Sequence, residues 1–393
     1  MKLVFFGHSL FLGSQSMPRF INMLAEGMKL RGHEVDVWIP EAKLSNLPAG
    51  GFKKWLSYVD QYILFPQQVK RKIKKNLADD VLYVFTDHAL GPYVPLVKDK
   101  SHVIHCHDFL AQRSALGEIP ENITSWTGEK YQSFIRNGYI QGKNFISVSE
   151  KTRKDLERLL DNQPQRSEMV YNGVNPEFEP KDVKASRSIL GTKIKRDLAS
   201  GYILHVGGNQ WYKNRVGVIS IYNKLRENFK QDIPLIMIGK KPSDVMINES
   251  NASSFADDIY FITDADDSLV RSAYAGASVF LFPSLAEGFG WPIAEAMASG
   301  TLVITTNENP MLEVAGDAAF LIYRKPEGAE IEHKWAVDTA EVVNRVLTLS
   351  DAEQLEWKNR GLDNISRFKL ERALDQIEGI YLEILNDNKN QGG

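Results

Sequence analysis

The chain has 393 residues, of which 43% are hydrophobic and 25% charged, with a formal net charge of −3. This length fits two or three domains. The composition excludes a fibrous chain, a disordered chain and a protein that binds nucleic acid through bulk positive charge. Since no apolar run reaches about 18 residues, no membrane-spanning helix is expected.

The cysteine content and the N-terminal sequence indicate a cellular location. Cys106 is the only cysteine, which rules out an internal disulfide and favours a reducing compartment. The apolar run at Met1–His8 breaks at Gly7 without a small-residue cleavage site, so we interpret it as a first strand and not as a signal peptide. We therefore expect a cytoplasmic protein, with peripheral contact at the inner face of the membrane left open.

Short apolar runs alternate with longer amphipathic stretches along the chain. Such runs, bounded by Gly or polar residues, are typical of parallel strands buried on both faces. The predicted strands are Leu3–Phe6, Val35–Ile39, Val81–Phe85, Val103–Cys106, Phe145–Val148, Met169–Tyr171, Tyr202–Val206, Leu235–Ile238, Ile259–Ile262, Val279–Phe282, Leu302–Thr305 and Phe320–Ile322. Their alternation with helices predicts an α/β fold with two doubly wound Rossmann-like domains facing across a cleft.

The domain boundary is predicted in residues 176–195, which combine two prolines with many charges. We assign residues 1–178 to an N-terminal domain and 179–368 to a C-terminal domain. Residues 369–393 are predicted to form a helix that returns to the N-terminal domain, followed by a disordered tail from Asn386. The first 180 residues carry a small net positive charge and the remainder a net negative one.

Two features of the N-terminal half are candidates for chemistry. The loop that follows the first strand contains Gly13 and can admit a phosphate or an acceptor, although it can equally be a plain loop. His102, His105 and His107 flank one predicted strand, with His105 and His107 on the same side. We discount a metal site because two histidines without further ligands hold a metal poorly. For His107, at the strand end, the plain explanation is a core or strand-cap histidine.

Residues 52–75 interleave aromatic and basic side chains. Phe52, Trp55, Tyr58 and Tyr62 lie among several lysines, a pattern that suits docking on an anionic membrane surface. The alternative is a packed helix pair with a solvated basic face. We keep membrane contact as a hypothesis, in which this half of the chain receives a binding partner that is membrane-borne or anionic.

A second candidate segment, His205–Asn214, follows a strand of the C-terminal half. It lacks the GxGxxG dinucleotide fingerprint. Lys213 in this loop can pair with a diphosphate as a point charge, or can be a solvated surface lysine. Asp264 and Asp266 form a DxD sequence, but their place between a strand and a helix predicts a helix cap and not a metal site.

The most informative segment is Phe282–Gly300. A strand is followed by Gly288 and Gly290, which allow close backbone approach, and by Pro292 at the predicted first position of a helix over Pro292–Ala298. Free amides at the start of such a helix suit a diphosphate. Glu287 precedes the helix, and Glu295 is predicted in its first turn, where a carboxylate also stabilises the helix dipole without any further role.

These segments resemble the signature of family-4 retaining glycosyltransferases, which have the GT-B fold. The resemblance rests on the Glu287-x7-Glu295 pair with the following Ala-Met-Ala-Ser-Gly, on 312–319, on 147–152 and on 171–174. It covers nearly the whole chain in the family's order. The sequence departs from the family at Gly208 and Tyr212, where an additional cation is common, so either Arg215 or an N-terminal residue compensates or the affinity for the donor is lower.

The resemblance implies roles for individual residues. Glu295 would accept hydrogen bonds from the ribose of a nucleotide-sugar, and Glu287 would lie near the transferred sugar. Catalytic roles would fall to His107, Glu287 and Lys213. Donor-binding roles would fall to Gly13, Asn172, Lys213, Arg215, Ser284, Gly288, Phe289, Gly290 and Glu295. No cofactor and no catalytic metal are expected.

The expected function is transfer of a sugar, with retention, from a nucleotide diphosphate to an acceptor hydroxyl in polysaccharide, glycolipid or glycoconjugate synthesis. The C-terminal domain would bind the donor and the N-terminal domain the acceptor. One alternative is another GT-B enzyme, such as a nucleotide-sugar epimerase or a sugar-phosphate synthase. A more distant alternative is a non-catalytic sugar-binding protein. The sequence does not specify the donor base, the sugar, the acceptor or the oligomeric state.

Overall fold

A computed structural model of the chain describes residues 1–9, 16–46, 52–75 and 80–391. The chain divides into two compact units. Unit 1 comprises Met1–Tyr171 together with Glu371–Gly393, and unit 2 comprises Asn172–Leu370. The sequence placed the corresponding boundaries after residues 178 and 368.

Unit 1 is built on a parallel sheet of six strands in the order β2-β1-β3-β4-β5-β6. The strands are β1 (Lys2–Phe6), β2 (Glu34–Trp38), β3 (Val81–Phe85), β4 (His102–Cys106), β5 (Asn144–Ser147) and β6 (Arg166–Met169). All described residues of β3 and β4 are buried, as expected for central strands covered by helices on both faces. The strand order reverses between β1 and β3, which makes this the place where a doubly wound sheet opens a crevice.

The helices of unit 1 lie on both sides of this sheet. They are α1 (Ser16–Leu30), α2 (Lys53–Val59), α3 (Phe65–Lys75), α4 (Leu110–Ala115), α5 (Trp126–Tyr139) and α6 (Glu150–Leu159). A π-helical turn over Asp60–Leu64 joins α2 to α3. Phe65 and Val69 of α3 belong to the core, whereas Phe52 and Trp55 are 73% and 69% exposed. The segment 52–75 therefore packs on one face and presents aromatic side chains on another.

Unit 2 has a second six-stranded parallel sheet, in the order β12-β11-β10-β7-β8-β9. Its strands are β7 (Ile203–Gly207), β8 (Leu235–Gly239), β9 (Ile259–Ile262), β10 (Val279–Phe282), β11 (Val303–Thr306) and β12 (Phe320–Ile322). Its helices are α7 (Val183–Ile194), α8 (Arg215–Phe229), α9 (Asp244–Asn251), α10 (Asp267–Gly276), α11 (Trp291–Ala298), α12 (Met311–Ala315), α13 (Ala329–Leu347) and α14 (Asp351–Ile365). The order of strands reverses between β7 and β10.

The last helix, α15 (Leu370–Gln391), packs into unit 1, which confirms the predicted return of the chain. Tyr381 is fully buried, and its hydroxyl is 2.7 Å from Nε2 of His105 in β4. Arg31 pairs with Glu371, Asp375 and Glu378 along the same helix. The helix continues past Asn386, where the sequence predicted a disordered tail, and Asp387 pairs with Arg166 at 3.0 Å.

The predicted strands overlap the observed ones, except that the strand predicted at Met169–Tyr171 shares only Met169 with β6 (Arg166–Met169). Two α/β units with parallel sheets were expected and are present. Among the described residues, no helix combines the length and the apolar character needed to cross a bilayer. Gly13 lies outside the described residues.

Candidate active site

The candidate site of unit 2 lies where the carboxyl ends of β7 and β10 meet. These strands are neighbours in the sheet, where Ile203 pairs with Val279 and Leu204 pairs with Phe280. The next strands in sequence continue in opposite directions from this pair, so the two loops that follow β7 and β10 flank the crevice of a doubly wound sheet. These loops contain Lys213 and Glu287.

Lys213 and Glu287 form an ion pair across the crevice. Lys213 Nζ lies 2.7 Å from Glu287 Oε1, and both side chains are largely enclosed. Ser284 donates its hydroxyl to the same carboxylate oxygen at 2.6 Å. The ammonium group also lies 5.0 Å from the ring centroid of Phe282, at the end of β10. The structure therefore brings together the cation and the carboxylate that the sequence singled out.

Hydrogen bonds tie the two loops to each other. The Leu285 amide donates to the Tyr212 carbonyl at 2.7 Å, and Asn214 Nδ2 donates to the Pro283 carbonyl at 3.0 Å. Asn214 has a left-handed conformation with φ of 49°, at the start of α8. Tyr212, which stands where the family has a cation, thus contributes its backbone to the site. This bracing fixes the position of Lys213 relative to Glu287.

Helix α11 begins at this site with Trp291. Gly290 precedes it with φ of 108°, a conformation that favours glycine. The helix starts one residue earlier than predicted, so Glu295 is its fifth residue and not part of the first turn. Tyr274 donates its hydroxyl to Glu295 Oε2 at 3.0 Å. Burial, together with the Glu295 charge, raises the pKa of Tyr274 well above its usual value, so the phenol remains a donor.

Two further predicted donor residues lie close to the start of α11. Trp291 Nε1 donates to the Gly173 carbonyl at 3.3 Å, which places the buried Asn172 beside the helix. Phe289 is buried, and its ring meets Phe368 edge-on at 5.5 Å. Phe289 therefore has a packing role, and only its backbone is a candidate for ligand contact.

The sequence suggested Arg215 as a replacement for the cation that is missing at Gly208 and Tyr212, whereas the structure pairs its guanidinium with groups of the protein. Arg215 is 4% exposed, and its Nη1 donates to Asn209 Oδ1 and to the Lys240 carbonyl. Burial lowers its pKa to about 10, so it remains charged at neutral pH. The guanidinium thus holds together the loops that follow β7 and β8.

His107 belongs to unit 1 and lies at the end of β4. Its Nε2 donates to the Thr86 carbonyl at 2.9 Å, and its ring meets Phe20 edge-on at 4.3 Å. Burial lowers its pKa, so the ring is neutral at pH 7. Phe20 also contacts His105, which confirms that both rings share one face of the strand. A neutral ring with Nε2 engaged has Nδ1 left to accept a hydrogen bond.

Sequence reasoning missed the residues that hold the site together. Tyr274, which supports Glu295, and Asn214, which bridges the loops, carry no signal in an isolated sequence because their partners are 21 and 69 residues away. Asp266 accepts from the Leu269 amide at 2.8 Å and caps α10, as predicted. No group of three or more His, Cys, Asp or Glu suited to a metal occurs in the described part of the chain.

Comparison with known proteins identifies the class to which this fold and site belong. Residues 191–361 match the family described as glycosyl transferases group 1, and residues 17–178 match Glycosyltransferase Family 4. The fold and the two matches define a glycosyltransferase of the GT-B type. The chain belongs to family 4 of these enzymes.

Relatives and solved structures agree with this assignment. The chain is 27% identical over 234 residues to O-antigen chain mannosyltransferase B of Escherichia coli, covering 58% of this chain and 61% of that protein. It is 26% identical over 303 residues to the serotype-specific mannosyltransferase WbdA of Escherichia coli, covering 72% of this chain and 36% of that protein. The matches thus span about three-fifths of the first relative and about a third of the second.

Among solved structures, a sucrose-phosphate synthase from Thermosynechococcus elongatus superposes with a TM-score of 0.75 at 15% identity. The superposition covers 98% of this chain and 100% of that one. At this identity the likeness concerns the fold alone.

Proposed function

We propose that the chain transfers a sugar, specifically mannose, from a nucleoside diphosphate to an acceptor hydroxyl with retention of configuration. The observation that carries this proposal is the enclosed Lys213–Glu287 pair at the point where the sheet of unit 2 reverses its strand order. Mannose is favoured because the two curated relatives are named as mannosyltransferases. Retention follows from the resemblance to family 4.

The chemistry needs a stabilised leaving group. The acceptor oxygen forms a bond to the anomeric carbon on the face from which the diphosphate departs. The bond between that carbon and the diphosphate oxygen breaks, the electron pair leaves with the diphosphate, and the acceptor proton ends on a phosphate oxygen. Lys213 would neutralise the developing charge, aided by the first amides of α11. Glu287, released from Lys213, would accept hydrogen bonds from the sugar hydroxyls.

Product analysis tests the reaction and its stereochemistry. GDP-, UDP- and ADP-sugars are screened for binding by calorimetry, and the donor that binds is incubated with mannoside acceptors. Proton NMR of the new glycoside is expected to show the anomeric configuration of the donor. An inverted product would overturn retention, and the absence of any transfer with a confirmed donor would overturn the transferase assignment.

An epimerase or a sugar-phosphate synthase remains the alternative within the GT-B fold. Gly208 and Tyr212, which stand where family members commonly have a cation, are the observation that favours it. Incubation with the donor alone separates an epimerase, since only an epimerase converts it without an acceptor. A synthase would require a sugar phosphate and leave neutral glycosides unchanged.

The acceptor is proposed to be carried by a lipid at an anionic membrane surface. Trp55 on α2 and Phe52 directly before this helix are exposed beside the exposed Lys53 and Lys54, and α3 adds a basic last turn. Exposed aromatic rings next to lysines suit the interface of an anionic bilayer. Co-sedimentation with liposomes tests this contact.

A further inference from the structure

The ammonium group of Lys213 lies over the faces of two aromatic rings. Its Nζ is 5.4 Å from the centroid of the Tyr212 ring and 5.0 Å from the centroid of the Phe282 ring. A cation within about 6 Å of a ring centroid is attracted by the negative face of the ring, and the attraction grows when water is excluded. Since the Lys213 side chain is largely enclosed, both rings help to hold its charge.

The ring of Phe282 is fixed at the end of β10. It is fully buried, and it stacks on Phe280 with the centroids 5.5 Å apart and the planes 21° apart. His205 stacks on it at 6.1 Å, and Nδ1 of His205 donates to the Leu281 carbonyl at 3.0 Å. Burial lowers the pKa of His205 to about 3, so this supporting ring is neutral and does not repel Lys213. The position of the Phe282 ring is thus set by the sheet and not by the loop that contains Lys213.

The ring of Tyr212 is fixed through its backbone. The Tyr212 carbonyl accepts the amide of Leu285 at 2.7 Å, and Ser284 Oγ lies 2.8 Å from the same oxygen. Trp211 meets the Tyr212 ring edge-on, with the centroids 5.6 Å apart. A second cation at position 212 would repel Lys213, whereas the face of the tyrosine ring attracts it. An attractive group therefore stands beside Lys213 where the family commonly has a like charge.

The proposed reaction makes a demand on Lys213 that its ion pair does not meet. Glu287 leaves the ammonium to accept hydrogen bonds from the sugar, and an enclosed charge that loses its partner is strongly destabilised. An aromatic ring attracts the cation without carrying a charge, so it does not compete with a diphosphate as a carboxylate does. Ser284 can follow the exchange, because its Oγ lies 2.6 Å from Glu287 Oε1 and 2.8 Å from the Tyr212 carbonyl and donates to one of them at a time.

We propose that Tyr212 and Phe282 are positioning residues that hold the Lys213 ammonium in place while Glu287 turns to the sugar and a diphosphate replaces the carboxylate. This inference rests on the proposed function and assigns two residues that act through Lys213. Negative charge on the diphosphate grows as its bond to the sugar breaks, so the rings affect kcat more than they affect KM for the donor.

The test varies the charge of the ring face and keeps the shape of the ring. Phe282, and in separate proteins Tyr212, is replaced in the full chain by phenylalanines that carry one, two or three ring fluorines, which weaken the negative face stepwise. The kcat of sugar transfer is expected to fall with each fluorine, reaching about a fivefold to tenfold loss with three at either position. A kcat that is independent of the number of fluorines at both positions would overturn the proposal.

Ordinary substitutions at position 212 give a second measurement. Tyr212→Phe keeps the ring and is expected to retain the wild-type kcat within about twofold, whereas Tyr212→Leu removes the ring face and is expected to lower kcat about fivefold to tenfold. An equal loss in the two variants would assign the effect to the Tyr212 hydroxyl and contradict a role of its ring.

Calorimetric titration with inorganic pyrophosphate examines the cation without any sugar transfer. Three fluorines on the Phe282 ring are expected to weaken pyrophosphate binding about threefold or more. No binding by the wild type would show that the ammonium is not accessible to a diphosphate and would overturn the proposal. Affinity that follows the fluorine series in a chain that transfers no sugar would refute the proposed function and leave the hold of the rings on Lys213 standing. Normal transfer that is insensitive to fluorine would refute the inference alone.

Phe280 is the matched control for packing. It is buried, stacks on Phe282 and lies two residues earlier in β10, further from the loop that contains Lys213. The same fluorine series at Phe280 is expected to leave kcat and pyrophosphate affinity unchanged, and circular dichroism melts verify that each fluorinated protein is folded. An equal loss at Phe280 and Phe282 would attribute the effect to packing in the strand and overturn the proposal.

Discussion

Lys213 Nζ and Glu287 Oε1 are 2.7 Å apart although the residues are 74 positions apart in the sequence. The pair joins the loop after β7 to the loop after β10, and Ser284 donates to the same carboxylate oxygen. A cation held this way is positioned before any diphosphate arrives, which is the condition for electrostatic stabilisation of a leaving group.

Lys213→Ala is expected to lower the rate of sugar transfer at least about 100-fold, as is Glu287→Ala, because each removes one preorganised electrostatic group. The measurement is initial transfer rate with the donor that the calorimetric screen identifies. Lys193→Ala is the matched control, since Lys193 pairs with Asp264 at the same 2.7 Å but at an exposed surface of unit 2. Wild-type turnover in either site variant would disprove the assigned roles.

Lys213→Ala, Glu287→Ala and Lys193→Ala should also differ in thermal stability. The side chains of Lys213 and Glu287 are 12% and 8% exposed, against 40% and 69% for Lys193 and Asp264. Removal of one partner leaves an enclosed charge alone in the first pair and a solvated charge in the second, where ion pairs contribute about 1 kcal/mol or less. Lys213→Ala should therefore lower the thermal midpoint more than Lys193→Ala, and equal shifts would contradict the enclosure of the pair.

Glu295→Ala is expected to weaken binding of the free nucleoside diphosphate about tenfold, through loss of the hydrogen bonds that its carboxyl group would accept from the ribose. Calorimetry measures it directly. Glu341→Ala, at an exposed position of α13, serves as the control. Unchanged affinity in Glu295→Ala would show that the hydrogen bond between Glu295 and Tyr274 is only structural, and would disprove a role of Glu295 in binding the ribose.

Trp55→Ala combined with Phe52→Ala is expected to reduce co-sedimentation with liposomes that contain phosphatidylserine several-fold, since it removes the exposed rings next to Lys53 and Lys54. Binding should also weaken as salt rises, because the lysine contribution is screened. Tyr323→Ala removes an aromatic ring that is 82% exposed in unit 2 and should have no effect. Wild-type protein that stays in the supernatant with anionic liposomes at low salt would refute membrane contact.

Stability should fall as the pH is lowered from 7 to 5. Burial lowers the pKa of His105 and of His205 to about 3, below the ordinary value of 6.5, and lowers the pKa of His102 and His107 as well. Below about pH 6.5 these rings bind protons in the unfolded chain but not in the folded chain. Each ring therefore lowers the free energy of unfolding by up to about 1.4 kcal/mol for every further pH unit of acidification. His88 acts in the opposite direction, because Asp87 outweighs burial and raises its pKa.

The measurement is the urea midpoint at pH 7 and at pH 5. This window lies above the range where ordinary carboxylates titrate, so histidines dominate it. His205→Gln removes one titrating ring and should shrink the difference between the two midpoints, whereas His333→Gln, at an exposed site, should not. A midpoint that rises on acidification would show that His88 outweighs the four other rings.

The fold was largely predictable because buried parallel strands are continuous apolar runs, and the predicted runs coincide with strands such as β3 and β10 within a residue or two. Lys213 and Glu287, which the structure brings together, were singled out from local motifs. The partners of those residues were not, because contacts such as Tyr274 with Glu295 depend on which helices the sheet places side by side. The contact of Phe282 with Lys213 was missed for the same reason, because only the pairing of β7 with β10 brings the two residues together.

Arg215 shows a second limit. Its position after Lys213 suggested a spare cation for the donor, but helix α8 begins at that residue and directs its guanidinium to Asn209 and the Lys240 carbonyl. Sequence position alone does not distinguish a cation that faces a ligand from one that braces a loop. The tail was misjudged because the salt bridge of Asp387 with Arg166 joins residues 221 positions apart.

Helix α15 has a consequence for the order in which the protein is made. The hydrogen bond between His105 and Tyr381 spans 276 residues, and Tyr381 is fully buried in unit 1. During synthesis, all of unit 2 emerges from the ribosome before the helix that completes unit 1. Unit 2 can therefore finish folding first, although domains usually fold in their order of synthesis. Until α15 is made, the N-terminal part leaves exposed the surface that Tyr381 covers in the folded unit.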